Sequence, residues 1–394
     1  MHGHGVVKCS AQLARAVAAA ALLTALAAAC GSGRGQAGAT ASPARSDVTA
    51  QIAIAAPGVA EPGSMPAYFV DEVISTGAVS GGLLQVRSSA TGHLIESPAI
   101  QALAVAPLGA ARSFVVAQRL GGGCATGLYR MTLSAAGRAG PLSRFGPAIP
   151  GQVIALAGDA DGGVIGYTAE PCAGKSASGA APAGYLGVLT VHTGAVRRWG
   201  SVDIYGSGSI AAASLSLSAD GGLLVFAGSS TGPGGSAVAP GIWLLRTAAA
   251  AGTLRERGRL VLSSPAAGSV PSSVILSPDG ASFYLCEVTT SQTAPTDEVA
   301  AYRSSSGRLE RVIASLTGHV AAIGQARPSC PMGASQGSEY LLVPYWLRAD
   351  SALPFAPAVR VARIDIATGA ITRLSFWLPG SGGMSVADNL SVAW

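Results

Sequence analysis

The chain has 394 residues, 49% of them hydrophobic and only 11% charged, so it carries ample material for a large buried core and does not belong to the disordered class. Its formal net charge of +5 is thinly spread, with lysine only at Lys8 and Lys175 and no arginine clusters beyond pairs such as Arg197-Arg198. That distribution lacks the basic stripe of a nucleic-acid binder.

Lys8 and Arg15 precede an alanine-rich apolar stretch over 16–29, short for a membrane span and right for the core of an export signal. The stretch ends Leu26-Ala27-Ala28-Ala29-Cys30-Gly31. Small residues before a cysteine resemble a bacterial lipobox, and the resemblance implies that Cys30 becomes the lipidated N-terminus of an exported protein on the outer face of the cell membrane. Leu26 stands four places before the cysteine instead of the usual three. Ordinary Ala-x-Ala cleavage with free secretion is the alternative, and an uncleaved anchor is a third. Residues 1–29 thus read as a signal peptide, 30–65 as the lipidated cysteine with a Gly/Ala/Ser-rich flexible tether, and 66–394 as one folded domain. Gly33-Arg34-Gly35-Gln36-Ala37-Gly38 in the tether matches a dinucleotide fingerprint in letters only, since no strand precedes it and no helix follows.

From about residue 66 glycine turns recur at a nearly fixed period. Gly92, Gly137, Gly194, Gly252, Gly307 and Gly369 are separated by 45, 57, 58, 55 and 62 residues, and Gly162, Gly221 and Gly280, spaced 59 and 59, interleave with them. A fixed period means stacked copies of one unit, and two interleaved turn series mean four strands per copy. The predicted fold is therefore all-β, a β-propeller of six four-stranded blades.

Naming the strands of each blade A to D from the centre outward, blade 1 supplies B, C and D over 68–73, 83–87 and 94–96 but no A. Blade 2 reads 101–106, 113–118, 127–133 and 140–145; blade 3 reads 152–157, 163–168, 185–192 and 196–200. Blade 4 reads 213–218, 223–227, 241–246 and 254–261, and blade 5 reads 273–277, 282–287, 298–303 and 309–315. Blade 6 has a long A-to-B segment through Pro328 and Pro331, then 340–345, 359–366 and 371–377. The apolar tail 389–394 is the missing A strand, which would complete blade 1 and close the ring. A seventh blade is the alternative, if 51–66 supply a further strand.

Tight A-to-B and C-to-D turns share one face, whereas the longer B-to-C and D-to-A loops share the other. Insertions at 172–184, 228–240, 289–297 and 347–357 all fall in B-to-C loops, so the partner surface is expected there. Ser277-Pro278-Asp279-Gly280 joins a φ-fixing proline to a glycine that accepts positive φ, and its aspartate reads as a turn residue.

Of six cysteines, Cys9 leaves with the signal and Cys30 is acylated, so Cys124, Cys172, Cys286 and Cys330 remain. Four in an exported domain suggest two disulfides, and the blade map favours Cys124 with Cys172 and Cys286 with Cys330. The alternative for the second pair is two buried, reduced thiols. No cysteine or histidine spacing suits a metal, and no cofactor is expected.

The A segments 101–106, 152–157, 213–218 and 273–277 hold neither acid nor histidine, where a propeller enzyme would gather charges, so no catalytic residue is assigned. Asp388 and His319 flank the remaining A segments as loop residues, and His93 and His192 fall at C-to-D turns. Gly228-Ser229-Ser230-Thr231-Gly232 fits the Gly-x-Ser-x-Gly elbow in letters but opens a loop between strands, not a strand-to-helix turn. Trp243, Trp346 and Trp377 read as blade packing, while Trp199 and Trp394 are left unassigned.

The runs Ser113-Phe114-Val115-Val116-Ala117, Gly127-Leu128-Tyr129-Arg130-Met131-Thr132-Leu133, Ile242-Trp243-Leu244-Leu245-Arg246-Thr247 and Ser277-Pro278-Asp279-Gly280 together resemble exported actinobacterial propellers of the TolB/WD40-like type. The Trp-Asp dipeptide of true WD40 blades is absent, which places the resemblance on the TolB-like side. It implies a non-enzymatic propeller held at the envelope that binds a protein or cell-wall component, with no catalytic motif to transfer. A secreted propeller lyase or hydrolase with its site at the channel mouth is the alternative.

Overall fold

Short apolar runs bounded by Gly, Pro, Asp and Ser turns dictate hairpins, and hairpins with two buried faces must stack on one another. A computed structural model describes residues 67–73, 82–109, 112–121, 123–171, 184–203, 214–231, 237–263, 271–289, 296–317, 333–334, 339–346, 359–378 and 392–393. They form a six-bladed, all-β propeller arrangement with four strands per blade, and the seven-blade alternative falls away.

Blade 1 holds β1 (Tyr68–Val73), β2 (Gly82–Ser88) and β3 (Leu94–Glu96). β4 (Gln101–Ala102) pairs with β2, so blade 2 begins only at β5 (Ala104–Pro107) and continues through β6 (Ser113–Arg119), β7 (Thr126–Thr132) and β8 (Ser143–Ile149). This corrects the single A strand expected over 101–106: its first two residues belong to the neighbouring sheet. Blade 3 is β9 (Gln152–Gly158), β10 (Val164–Glu170), β11 (Gly184–Thr190) and β12 (Ala195–Asp203).

Blade 4 is β13 (Ser214–Leu217), β14 (Leu223–Thr231), β15 (Ala237–Arg246) and, after β16 (Gly252–Thr253) and the short helix α1 (Leu254–Arg257), β17 (Arg259–Ser263). The outer strand expected over 254–261 is thus half helix, because Thr253 and Glu256 close a capping box on each other's backbone amides. Blade 5 is β18 (Pro271–Leu276), β19 (Ser282–Thr289), β20 (Thr296–Arg303) and β21 (Leu309–Thr317). Blade 6 is β22 (Gly333–Ala334), β23 (Tyr340–Trp346), β24 (Val359–Asp365) and β25 (Ile371–Leu378). β26 (Val392–Ala393) lies antiparallel to β1, with Val70 opposite Ala393 and Asp71 opposite Val392. The innermost strands neighbour one another in the order β22, β26, β5, β9, β13, β18.

Five apolar clusters fill the seams between consecutive blades from 1/2 to 5/6. The first half of β14 shows why the run Leu223-Leu224-Val225-Phe226-Ala227 is apolar without a break. Leu224 and Phe226 pack toward blade 3 while Val225 and Ala227 pack toward blade 5, all of them buried. Each such large side chain contributes about 1.5–3 kcal/mol by leaving water.

One backbone bond repeats in every blade and sets A-to-B and C-to-D turns on the same face. The amides of Ser89, Leu133, Val191, Thr247, Ser304 and Ile366 donate to the carbonyls of Ala67, Arg112, Gly163, Gly222, Ala281 and Glu339, respectively. Blades are also tied along their outer strands. Arg197 donates to the Thr247 carbonyl (3.1 Å), Arg259 to the carbonyls of Ser304 (2.7 Å) and Ser305 (2.6 Å), and Arg311 to those of Ile366 and Ala367. Each arginine reaches the C-to-D turn of the next blade, and in Arg259 and Arg311 the planar two-nitrogen fork fits two successive carbonyls. Arg259→Lys keeps the charge but loses the fork, and is expected to lower stability by about 1 kcal/mol in urea unfolding, with Arg259→Ala costing about 2.

Candidate functional site

Convergent polar side chains in a propeller enzyme sit on or near the channel-side strands, and here several polar side chains on and beside those strands bond across to the neighbouring blade. β13 reads Ser-Leu-Ser-Leu: the leucines enter the blade 3/4 core, while the serine oxygens face the next blade. Ser214 Oγ accepts the Val274 amide (3.1 Å) and Ser216 Oγ accepts the Leu276 amide (3.1 Å), engaging two amides on the inner edge of β18. Buried Thr126 Oγ1 accepts the Val153 amide (3.2 Å) and donates to the Gly151 carbonyl (2.7 Å). Gln152 Oε1 accepts from Arg119 (3.0 Å), and Gln118 Nε2 donates to the Gln101 carbonyl (2.9 Å).

The three A-to-B turns of blades 3, 4 and 5 align as Asp159-Ala160-Asp161-Gly162, Ser218-Ala219-Asp220-Gly221 and Ser277-Pro278-Asp279-Gly280. In blades 4 and 5 the serine hydroxyl donates to the aspartate two residues on (2.6 Å in each) and accepts the first amide of strand B (2.9 Å in each). Those serine hydroxyls, with the Gly222 and Ala281 amides, hold the Asp220 and Asp279 carboxyls below the usual aspartate range. Blade 3 places a second carboxylate at the serine position. Asp159 is 4% exposed and burial raises its carboxyl above the usual range, opposed by the amides of Val164, Gly163 and Gly162 and reinforced by the charge of Asp161. Its Oδ1 is buried without a hydrogen-bond partner among the described residues.

Elsewhere, Tyr185 donates to the Pro150 carbonyl (2.5 Å), meets Tyr167 edge-on at 6.1 Å, and lies under the Arg198 guanidinium at 5.4 Å. Burial pushes its phenol up to about 12, which keeps it a neutral donor. Among the described residues, no three His, Cys, Asp or Glu side chains gather closely enough to hold a metal ion. No helix among them is long and apolar enough to cross a membrane.

Of the residues singled out in the sequence, Cys124 is half-buried in the β6–β7 connection, and Cys286 is fully buried in β19; both are disulfide-bonded. Cys30, Cys172 and Cys330 lie outside the described residues, as do His319, Asp388, Trp394 and most of the four B-to-C insertions. His93 and His192 are exposed at C-to-D turns. Ser230 is no elbow nucleophile: it lies within β14, opposite Val238 of β15 and Val202 of β12. β14 runs to Thr231, so the glycine-rich loop expected from Gly228 onward is strand in its first half. Trp199 and Trp243 are both buried. Sequence reading missed Asp159, although aligning the three turns by their Asp-Gly pairs exposes it as the odd member.

No family model matches this chain, and no curated protein matches it. Solved structures that resemble it include a protein described as TolB from Agrobacterium tumefaciens, 14% identical over 84% of this chain and 98% of that one, with a TM-score of 0.45. A periplasmic gluconolactonase of Pseudomonas aeruginosa is 16% identical over 78% of this chain and 81% of that one, TM-score 0.43. A protein of Bacteroides uniformis described as a 6-phosphogluconolactonase is 14% identical over 80% and 83%, TM-score 0.44. Likeness of this degree assigns the chain neither ligand nor activity.

Proposed function

We propose that this chain is an exported propeller, tethered to the outer face of the cell membrane through lipidated Cys30, that binds a protein or cell-envelope partner through the face carrying its B-to-C and D-to-A loops. The observation that carries the reading is the state of the innermost strands. Ser214 and Ser216 on β13 and Gln152 on β9 each hold a neighbouring blade, which leaves them occupied by architecture and not by a reacting group. Recognition then falls to the loops, where the insertions at 172–184, 228–240, 289–297 and 347–357 concentrate.

Two further elements belong to the same reading. β26 completes blade 1 as its A strand and closes the ring, which is supported by its pairing with β1 and its place between β22 and β5. Cys124 bonds with Cys172 and Cys286 with Cys330, in keeping with an oxidising compartment and with the bonded state of the two described members.

Photo-crosslinkers at Ser176, Gln292 and Ser351 within three of the B-to-C insertions, with His192, Asp220 and Ser305 on the turn face as controls, test the binding surface in cells. Adducts are expected from the loop face alone; adducts confined to the turn face overturn it. Mass spectrometry of the mature N-terminus tests the tether. A diacylglyceryl-modified Cys30 is expected, with Cys30→Ala released from the membrane fraction, whereas an unmodified N-terminus beyond residue 30 overturns lipidation.

A further inference from the structure

Asp159 occupies a junction of three blades. Its carbonyl accepts the Gly109 amide of blade 2 (2.9 Å), its own amide donates to the Val164 carbonyl within blade 3 (3.1 Å), and the next residue, Ala160, donates to the Ala219 carbonyl of blade 4 (3.1 Å). Ala219 in turn donates to the Pro278 carbonyl of blade 5 (2.8 Å), so the turns form a backbone chain across four blades. The Asp159 carboxylate lies beside the blade 4 turn: Oδ2 is 3.0 Å from the place a Cβ on Gly221 would occupy.

We propose that Asp159 is a proton-operated latch on the seam between blades 3 and 4, closed when its carboxyl is protonated and loosened when it ionises. The sister turns define the closed state. There a hydroxyl at this position donates to the second aspartate while accepting the strand B amide. A protonated carboxyl carries the same pair of functions, one O–H to give and one oxygen to receive, and Asp161 stands where Asp220 and Asp279 accept. The ionised form has no proton to give. It sets two negative charges two residues apart, with Oδ1 buried and unpartnered, and an uncompensated buried carboxylate oxygen is costly. Relief comes from protonation or from opening the seam to water.

The titratable groups at Asp159 are Asp161 from its own turn and His192 from the β11–β12 turn; in the blade 4 turn packed against it, Asp220 keeps its carboxylate on the Ser218 hydroxyl and the Gly222 amide. The site of a Cβ on Gly163 is 3.6 Å from Asp159 Oδ2 and 4.0 Å from His192 Nε2, so the imidazole shares this corner. The raised carboxyl fixes the sign. A group whose folded-state pKa exceeds its unfolded value of about 3.9 contributes stability that is fully present below that value and is lost as pH rises through the folded pKa. Asp220 and Asp279, held low, contribute the opposite slope, lost as pH falls.

The test compares the mature protein with Asp159→Ser, which installs the serine of the sister turns, and with His192→Gln, which removes the imidazole's own titration. The folding equilibrium constant of the wild type, relative to Asp159→Ser, is expected to fall about tenfold for each pH unit crossed between the unfolded and folded pKa values. His192→Gln is expected to keep that slope. Over the same interval the hydrogen-exchange protection of the Ala160 amide, which spans the seam, is expected to drop in the wild type and stay constant in Asp159→Ser. A pH-independent difference in stability, or Ala160 protection that does not respond, overturns the latch. Should Asp159→Ser not fold, ¹³C-carboxyl titration of the wild type, assigned with Asp159→Asn, decides: a midpoint within the ordinary aspartate range overturns the proposal.

Discussion

Gly307→Ala is expected to destabilise the protein by about 4 kcal/mol, whereas Gly194→Ala, at the equivalent turn of blade 3, is expected to cost only about 1–2. Both glycines close the C-to-D turn with positive φ, 68° and 67°, and both donate their amide to the carbonyl of the residue four back, Arg303 or Thr190. Strain from the left-handed backbone is therefore equal in the two variants. What differs is the neighbour. A Cβ on Gly307 would stand 1.8 Å from the Val261 carbonyl oxygen in the outer strand of blade 4, and nothing lies within 4 Å of a Cβ on Gly194. A backbone oxygen cannot swing aside as a side chain can, so the blade 4/5 seam must part. That seam is also held by the two Arg259 bonds to Ser304 and Ser305. Gly369, with a Cβ position 2.3 Å from the Ile313 oxygen of blade 5, is expected to behave like Gly307. Equal losses in Gly307→Ala and Gly194→Ala, measured by urea unfolding, would show that turn strain alone explains the period.

The contrast between these glycines also explains how much of the fold can be read from the chain. Glycine turns, Asp-Gly pairs and short apolar runs are local signals, and they place nearly every strand of blades 3 and 5 within a few residues. Partner choice is not local. Nothing in Gln101-Ala102 says that it leaves blade 2 to pair with β2, because the decision rests on Gly82 and Leu83 some twenty residues earlier. β12 likewise continues past blade 3 to pair with β14 through Val202 and Asp203, and it takes β16 alongside in parallel. The helix at Leu254–Arg257 was legible in Thr253 and Glu256, but the repeat argued for a strand and masked the capping signal. Asp159 went unnoticed for a different reason. A lone aspartate in a turn is unremarkable by composition, and its environment becomes unusual only when three blades converge on it and bury it. The arginine forks were hidden in the same way, since each carbonyl they reach lies about fifty residues downstream in the next blade.

Trp199 and Trp243 separate burial from bonding, and replacing the first is expected to produce a loss as large as any side-chain truncation in the domain. Both indoles lie in the blade 3/4 core, Trp199 on β12 and fully buried, Trp243 on β15 and 4% exposed. Trp199 Nε1 donates to the Ala250 carbonyl (2.9 Å), and its backbone stands opposite Gly252, so one residue anchors the outer strand of blade 3 to the connection leading into α1. Trp243 Nε1 is buried with no acceptor among the described residues. Trp199→Ala should therefore cost about 3–5 kcal/mol from the cavity it leaves, and Trp199→Phe about 2, because the Ala250 carbonyl loses its donor along with part of the packing. Trp243→Phe gives up volume but also removes a desolvated N–H that nothing receives, so it should fall within about 1 kcal/mol of the wild type. The prediction is read in the difference between the two phenylalanine variants. Equal losses would mean that the indole of Trp199 matters only as bulk, and that the tie between β12 and the blade 4 connection is carried by β16 and α1 without it.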